Sequence, residues 1–314
     1  MNMPSSYRNR IYFLILIMLT FCILTRSQVS LFYAFTGLSL WYEKMLPSLV
    51  PFMILSGIMI RMHLTESFSR LLYPIVGRLF CVSRNGCYAI IIGFLCGFPM
   101  GAKTIADLLE QELLSEKEAE YLLAFCNNIG PVYFCSFVLP LLYRQLVLPY
   151  VIGMYGIPAC YGIVLRHTLY REPQFSSPDA LVSNKHKSMP KPLLAALDES
   201  VLSSMQSALG LCGYMILFNL LNLLPHLLLG HIPILLAPLF EITGGLSFLG
   251  DTYPLYTLLL LPFGGLSCIA QTYHCICNTK LSIAAYTLHK LVLTALCTLY
   301  YLGWFLLAPS AFLR

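Results

Sequence analysis

Between Lys191 and Lys280 the chain contains no lysine or arginine, and only Asp198, Glu199, Glu241 and Asp251 are ionised there at neutral pH. Charge is scarce throughout: 11% of residues are charged, 58% are hydrophobic, and mean hydropathy is +0.75. A soluble domain is about one quarter charged, so a soluble fold is excluded. A cation-free stretch of that length belongs in lipid or on its far side. A long polar segment is also missing. The longest, Arg166–Pro192, is rich in Ser, Pro and Lys and reads as a linker, not a domain. HExxH, GxSxG and CxxC motifs are absent, and no nucleophile–base pair is visible, which leaves a membrane enzyme as the weakest reading. The twelve cysteines stand singly in apolar runs apart from Cys275-Ile276-Cys277, with neither disulfide nor zinc spacing. They read as small packing residues. No cofactor, metal or nucleic-acid partner is expected.

What is present is a series of apolar segments. At about 20 residues per span, the 314 residues allow roughly six to nine. Ile11–Leu24 follows Arg8 and Arg10 and resembles a signal peptide, but Thr25-Arg26-Ser27-Gln28 is a poor cleavage site, so an uncleaved first span is expected. Ser30–Lys44 reads as an interfacial helix anchored by Trp41-Tyr42 and Met45–Met62 as the second span, with an amphipathic basic piece over Leu64–Phe80. Tyr88–Met100 is apolar, short and broken by Gly93, Gly97, Pro99 and Gly101. An acidic helix over Thr104–Tyr121 follows it. Leu122–Tyr143 is interrupted at Asn127–Pro131, and Leu146–Leu165 is a further span. Beyond the linker come Leu197–Leu229, Ile232–Phe248, Tyr256–Ile276 with Gly264-Gly265 near its middle, and Ser282–Leu307.

Cations fix the orientation. Arg8 and Arg10, the group Arg61, Arg70, Arg78 and Arg84, and the linker group Arg166, Arg171, Lys185, Lys187 and Lys191 should all be cytoplasmic. That holds only if Tyr88–Met100 enters the membrane and returns. The expectation is an all-α polytopic membrane protein with cytoplasmic termini: an N-terminal part over 1–40, a first repeat over 41–165, the basic linker over 166–195, and a second repeat over 196–314. The Gly-broken stretches Gly93–Gly101 and Leu261–Ser267 are the paired signals, and their spans run in opposite senses, so the repeats are inverted. Paired broken helices in inverted repeats point to a secondary transporter with a midplane site.

Three constellations carry chemistry. In Gly97-Phe98-Pro99-Met100-Gly101-Ala102-Lys103-Thr104, a helix starting after Gly101 aims free N–H groups at an anion, and Lys103 adds a full charge. The string falls short of a phosphate-binding P-loop because Ala102 replaces the second Gly and no α/β domain surrounds it. Asn127-Asn128-Ile129-Gly130-Pro131 offers paired amides, for a ligand or for an interhelical bond. Phe263-Gly264-Gly265-Leu266-Ser267 with Gln271 is the third. Asp107, Glu241 and Lys290 are candidate coupling or charge partners, since intramembrane charges are rare.

Gly93–Leu108, Leu122–Asn128 and Phe263–Gln271 together resemble the signatures of the YlbJ/SpoVV sporulation integral membrane proteins. These fall within the nucleoside recognition, or Gate, group, which includes spore maturation proteins and the membrane part of ferrous iron transporters and is similar to halves of concentrative nucleoside transporters. The resemblance implies a multi-pass protein of late endospore formation, in the cell membrane or outer forespore membrane, moving dipicolinic acid. It also implies that Gly97, Pro99, Gly101, Lys103, Asp107, Asn127, Asn128, Gly264, Gly265, Ser267 and Gln271 line the site, with Thr104 beside Lys103. The partners expected are a small anionic solute, the bilayer, and a homo-oligomer as an open option. A nucleoside carrier and a non-transporting assembly protein are the alternatives. A reporter inserted after Lys187 tests the orientation: fluorescent protein active and alkaline phosphatase inactive is the expected pair, and the reverse places the linker outside.

Overall fold

The computed structural model describes residues 5–171 and 190–312, so two of the five linker cations, Lys185 and Lys187, lie outside the described residues. Among those described, every regular element is helical. The chain begins with α1 (Ser5–Thr25) and α2 (Ser27–Arg61), a 35-residue apolar helix. The interfacial helix expected over Ser30–Lys44 and the span expected over Met45–Met62 are thus one helix. Trp41–Met45 forms a π-turn that carries the chain through, and no residue there leaves helical geometry.

The short helix Thr65–Ser69 and α3 (Tyr73–Phe80) lead into α4 (Arg84–Cys96) and α5 (Met100–Glu110). At 13 and 11 residues these run about 20 and 16 Å, too short to cross a hydrocarbon core of about 30 Å. They form a hairpin. Asn85 Nδ2 at its start donates to the Leu113 carbonyl just past its end (3.1 Å), while the tip is Gly97-Phe98-Pro99, with a cis Phe98–Pro99 bond. The chain therefore doubles back at Gly97-Phe98-Pro99.

The acidic helix expected over Thr104–Tyr121 is two. Glu112 takes a left-handed φ of 56°, and Ser115 caps a new helix, α6 (Glu116–Leu123), by accepting from Glu118 N (3.2 Å). A Ser three residues ahead of a Glu is a helix-start signal, and here it ends the previous helix. After a break come α7 (Pro131–Leu141), α8 (Arg144–His167) and α9 (Leu193–Leu229). Ile232–Phe248, expected as one helix, is split by extended backbone at Glu241 (φ −141°, ψ 119°) into Ala237–Phe240 and α10 (Ile242–Leu249). Then follow α11 (Pro254–Leu260), α12 (Gly265–Ile276) and α13 (Ile283–Leu307). Ser27–Arg61, Arg144–His167, Leu193–Leu229, Pro254–Ile276 and Ile283–Leu307 are long and apolar enough to span a bilayer. Their outer faces are apolar and exposed (Phe35 68%, Leu209 61%, Leu299 68%), which suits lipid.

The hairpin is seated by glycines four residues apart. A Cβ on Gly93 or Gly101 would stand 2.4 or 2.5 Å from the Cys126 carbonyl oxygen. One on Gly97, whose φ is +77°, would stand 2.1 Å from Gly130 N. Phe98 N donates to the Asn128 carbonyl (2.5 Å). The broken segment 126–130 therefore lies directly on the hairpin. At the hairpin's base, buried Glu118 accepts from Ser83 N (2.7 Å).

Two outcomes follow. Gly97→Ala meets both a clash and a forbidden φ, so it should lower stability by roughly 3 kcal/mol or more, whereas Gly213→Ala, with nothing within 4 Å, should change it by less than about 0.5 kcal/mol. Thermal melts in detergent measure both. Burial pushes the Glu118 carboxyl up from its ordinary 4.5 to about 7, against the lowering by the Ser83 hydrogen bonds and Arg166. The folded state then holds this proton more tightly than the unfolded one. Its stabilisation is complete below pH 4.5 and is lost as pH rises towards 7. Glu118→Gln removes that loss, so its melting temperature should gain on the wild type between pH 5 and 7.5. A constant difference across that range contradicts the assignment.

Candidate functional site

Four breaks in the chain meet at one cavity. Two belong to the first half, the hairpin tip (Phe98, Pro99) and the segment Ile129–Tyr133. Two belong to the second half, Glu241–Thr243 and Leu261–Gly264, the latter continuing into Cys268 and Gln271 on α12. Met45 and Leu49 of α2, Leu211 and Met215 of α9, and Lys290 of α13 close the walls. The sequence pairs Gly93–Gly101 with Leu261–Ser267. In the packing, the two breaks of each half lie on one another. Gly97 lies on Gly130, and a Cβ on Gly265 (φ +80°) would stand 3.0 to 3.2 Å from Pro238 O, Phe240 O and Ile242 N.

The two halves are tied through Asn127. Its Oδ1 accepts from Ala102 N on the hairpin (3.3 Å), and its Nδ2 donates to Thr272 Oγ1 on α12 (3.0 Å) and Tyr286 OH on α13 (3.1 Å). Its carbonyl accepts from Lys290 Nζ (3.0 Å). The side chain is thereby fully used in structure. Asn128 is used too, donating to the Phe125 carbonyl (2.6 Å). The Asn127 side chain is occupied, and Asn128 does not line the cavity.

The expected cation of the site is placed elsewhere. Lys103 is buried, and its ammonium ends on Asp107 Oδ1 (3.2 Å), one turn along α5, and on Ser203 Oγ of α9 (3.0 Å). It does not line the cavity. An acid four residues along the same helix face captures the amine. Thr104 lies beside it at 3.4 Å from Ser56 Oγ, which also takes the Tyr88 hydroxyl (3.0 Å). Gly97, Gly101, Gly265 and Ser267 are packed behind the cavity wall; Pro99, Gly264 and Gln271 are on it.

The cavity's charges are Glu241 and Lys290. Glu241 is 2% exposed and caps α10: its oxygens accept from Thr243 N (3.1 Å), Gly244 N (2.6 Å) and Asn219 Nδ2 (3.2 Å). A helix N-terminus and three donors compensate the carboxylate. Lys290 is 3% exposed and spends one of its three donors on the Asn127 carbonyl. No ion pair joins it to Glu241 among the described residues. Gln271 is buried on the same wall, and its amide has no protein partner among the described residues. The capacity that Lys290 leaves unfilled is donor only, and Gln271 adds an amide that can both donate and accept. The cavity volume is about 30 Å³. That is room for a few waters.

Tyr133, whose hydroxyl donates to Thr243 Oγ1 (3.2 Å), and Tyr286, whose side chain completes the bonds of Asn127, are missed by motif reading. The spacing of Tyr286 and Lys290, one helical turn apart on α13, is the signal that marks Tyr286.

Residues 43–156 match the family model described as Gate, nucleoside recognition. The chain is similar to the sporulation integral membrane protein YlbJ of Bacillus subtilis (strain 168), at 27% identity over 87% of this chain and 77% of the relative. The likeness that the sequence motifs carry is therefore shown. No solved structure matches.

Proposed function

We propose that this protein carries a small organic anion across the membrane, with dipicolinate as its solute and Lys290 as the charge that receives a carboxylate. The observation that carries the reading is a buried ammonium facing a cavity with two donors unfilled, opposite a carboxylate whose acceptors are filled. Buried cations inside a membrane are costly and mark solute paths. Gln271 offers its amide to the ring nitrogen or second carboxylate, and Phe98 and Tyr133 offer aromatic faces to a flat ring. The match to the Gate family and the likeness to a sporulation membrane protein support the setting. The cavity has room for a few waters and not for an aromatic dianion, so transport requires it to widen. Broken helices at a repeat interface are the elements that move in such carriers.

The neutral polar groups Gln271, Thr243 and Tyr133 also suit a nucleoside, and the two solutes are separated by flux. Purified protein in liposomes should pass labelled dipicolinate faster than protein-free vesicles and faster than it passes uridine. Lys290→Met should cut dipicolinate flux at least about tenfold, the worth of one charge-assisted hydrogen bond of roughly 1.5–3 kcal/mol, while Lys290→Arg retains part of it. Wild-type flux no greater than that of empty vesicles overturns the reading, and uridine flux untouched by Lys290→Met replaces it with the nucleoside one.

A further inference from the structure

Glu43 and Lys44 stand at the π-turn in the middle of α2, with 14 helical residues before the turn and 16 after it. Both are exposed. The Lys44 carbonyl takes the Ser48 hydroxyl (2.6 Å), but neither charged group has a partner among the described residues. The next residue, Met45, lines the cavity, as does Leu49 one turn on. The two charges are therefore level with the cavity and point the opposite way, out of the molecule.

That placement is unusual. α2 has 35 residues, or about 52 Å, which exceeds a hydrocarbon core of about 30 Å, so its ends reach beyond that core. With the bilayer centred on the cavity, the midpoint of α2 falls inside the hydrocarbon core, where charges pair with each other or face a wet cavity. The cavity is on the other face, which is filled by Tyr33, Gly37 and Met53 against α9. On the outer face, Phe35, Pro47, Pro51 and Leu55 are exposed and recur in four-residue steps with Glu43. They form one stripe along the helix, with an acid and a base at its centre.

We infer that this stripe is the contact between two copies of the chain, Glu43 of each pairing with Lys44 of the other across a two-fold axis. A two-fold contact needs a patch that complements itself. Adjacent residues of opposite charge do so, because each copy presents both halves of the pair. The apolar stripe on either side keeps lipid out, and each charge gains a partner that its own chain does not supply. The inference rests on the membrane placement of α2 and not on the identity of the solute.

The test is subunit counting by photobleaching of the fluorescently tagged full chain in liposomes at low protein density. The wild type should bleach in two steps. Glu43→Lys and Lys44→Glu should each shift the population to single steps, weakening the dimer at least about tenfold. The double variant E43K/K44E should return to two steps, and so should a mixture of the two single variants, which also shows that each single variant is folded. Single-step bleaching of the wild type overturns the proposal. So do single variants that remain in two steps, or a double variant and mixture that both stay in one.

Discussion

A chain break inside lipid leaves amides and carbonyls with no water to bond, and each unpaired group costs several kcal/mol. This fold meets that constraint by laying its breaks against one another. The tip amide of Phe98 is satisfied by the Asn128 carbonyl, and Ala102 N by the Asn127 side chain. The Asn127 carbonyl is satisfied by Lys290 and the first amides of α10 by Glu241. Glycines at 93, 97, 101 and 130 bring the backbones close enough for this. The polar residues of the site are thus structural before they are functional. What remains for a solute is the capacity left over: two donors of Lys290, and the amide of Gln271.

The same arrangement explains why one lysine is a candidate ligand and the other is not. Lys103 and Lys290 are both buried amines in the interior of a membrane protein. Lys103 has an acid one turn along its own helix and a serine across the α9 interface, so its charge is spent where it stands. Lys290 has only a carbonyl. Glu241 is its partner on charge alone, yet the N-terminus of α10 holds that carboxylate already.

Much of this was legible in the residues. Low charge, the cation-free stretch and the Gly/Pro breaks mark a helical membrane protein with an internal hairpin, and the breaks named in the sequence all reach the cavity or its wall. Pairing between breaks was not legible, because it depends on which backbone a glycine touches: Gly97 reads as half of a repeat with Gly264, yet it is seated on Gly130. Helix ends also escaped. The π-turn at Trp41–Met45 has no sequence signal distinguishing it from an interfacial anchor, and the break at Glu112 follows from a cap at Ser115 whose Glu118 looks like one more acid in a row. A helix start with a lysine suggests an anion site, but where the Lys103 amine rests depends on the acid at i+4, Asp107.

The central claim is that the hairpin tip and α12 face one cavity that water and solute reach. Labelling by a membrane-impermeant thiol reagent tests it most directly, with Phe98→Cys and Gln271→Cys made separately in protein whose exposed Cys135, Cys160 and Cys277 and cavity-lining Cys268 are replaced by serine. The account predicts that both positions react in liposomes and that dipicolinate protects both over the same concentration range. Protection of one position without the other, or reaction at neither, would contradict it.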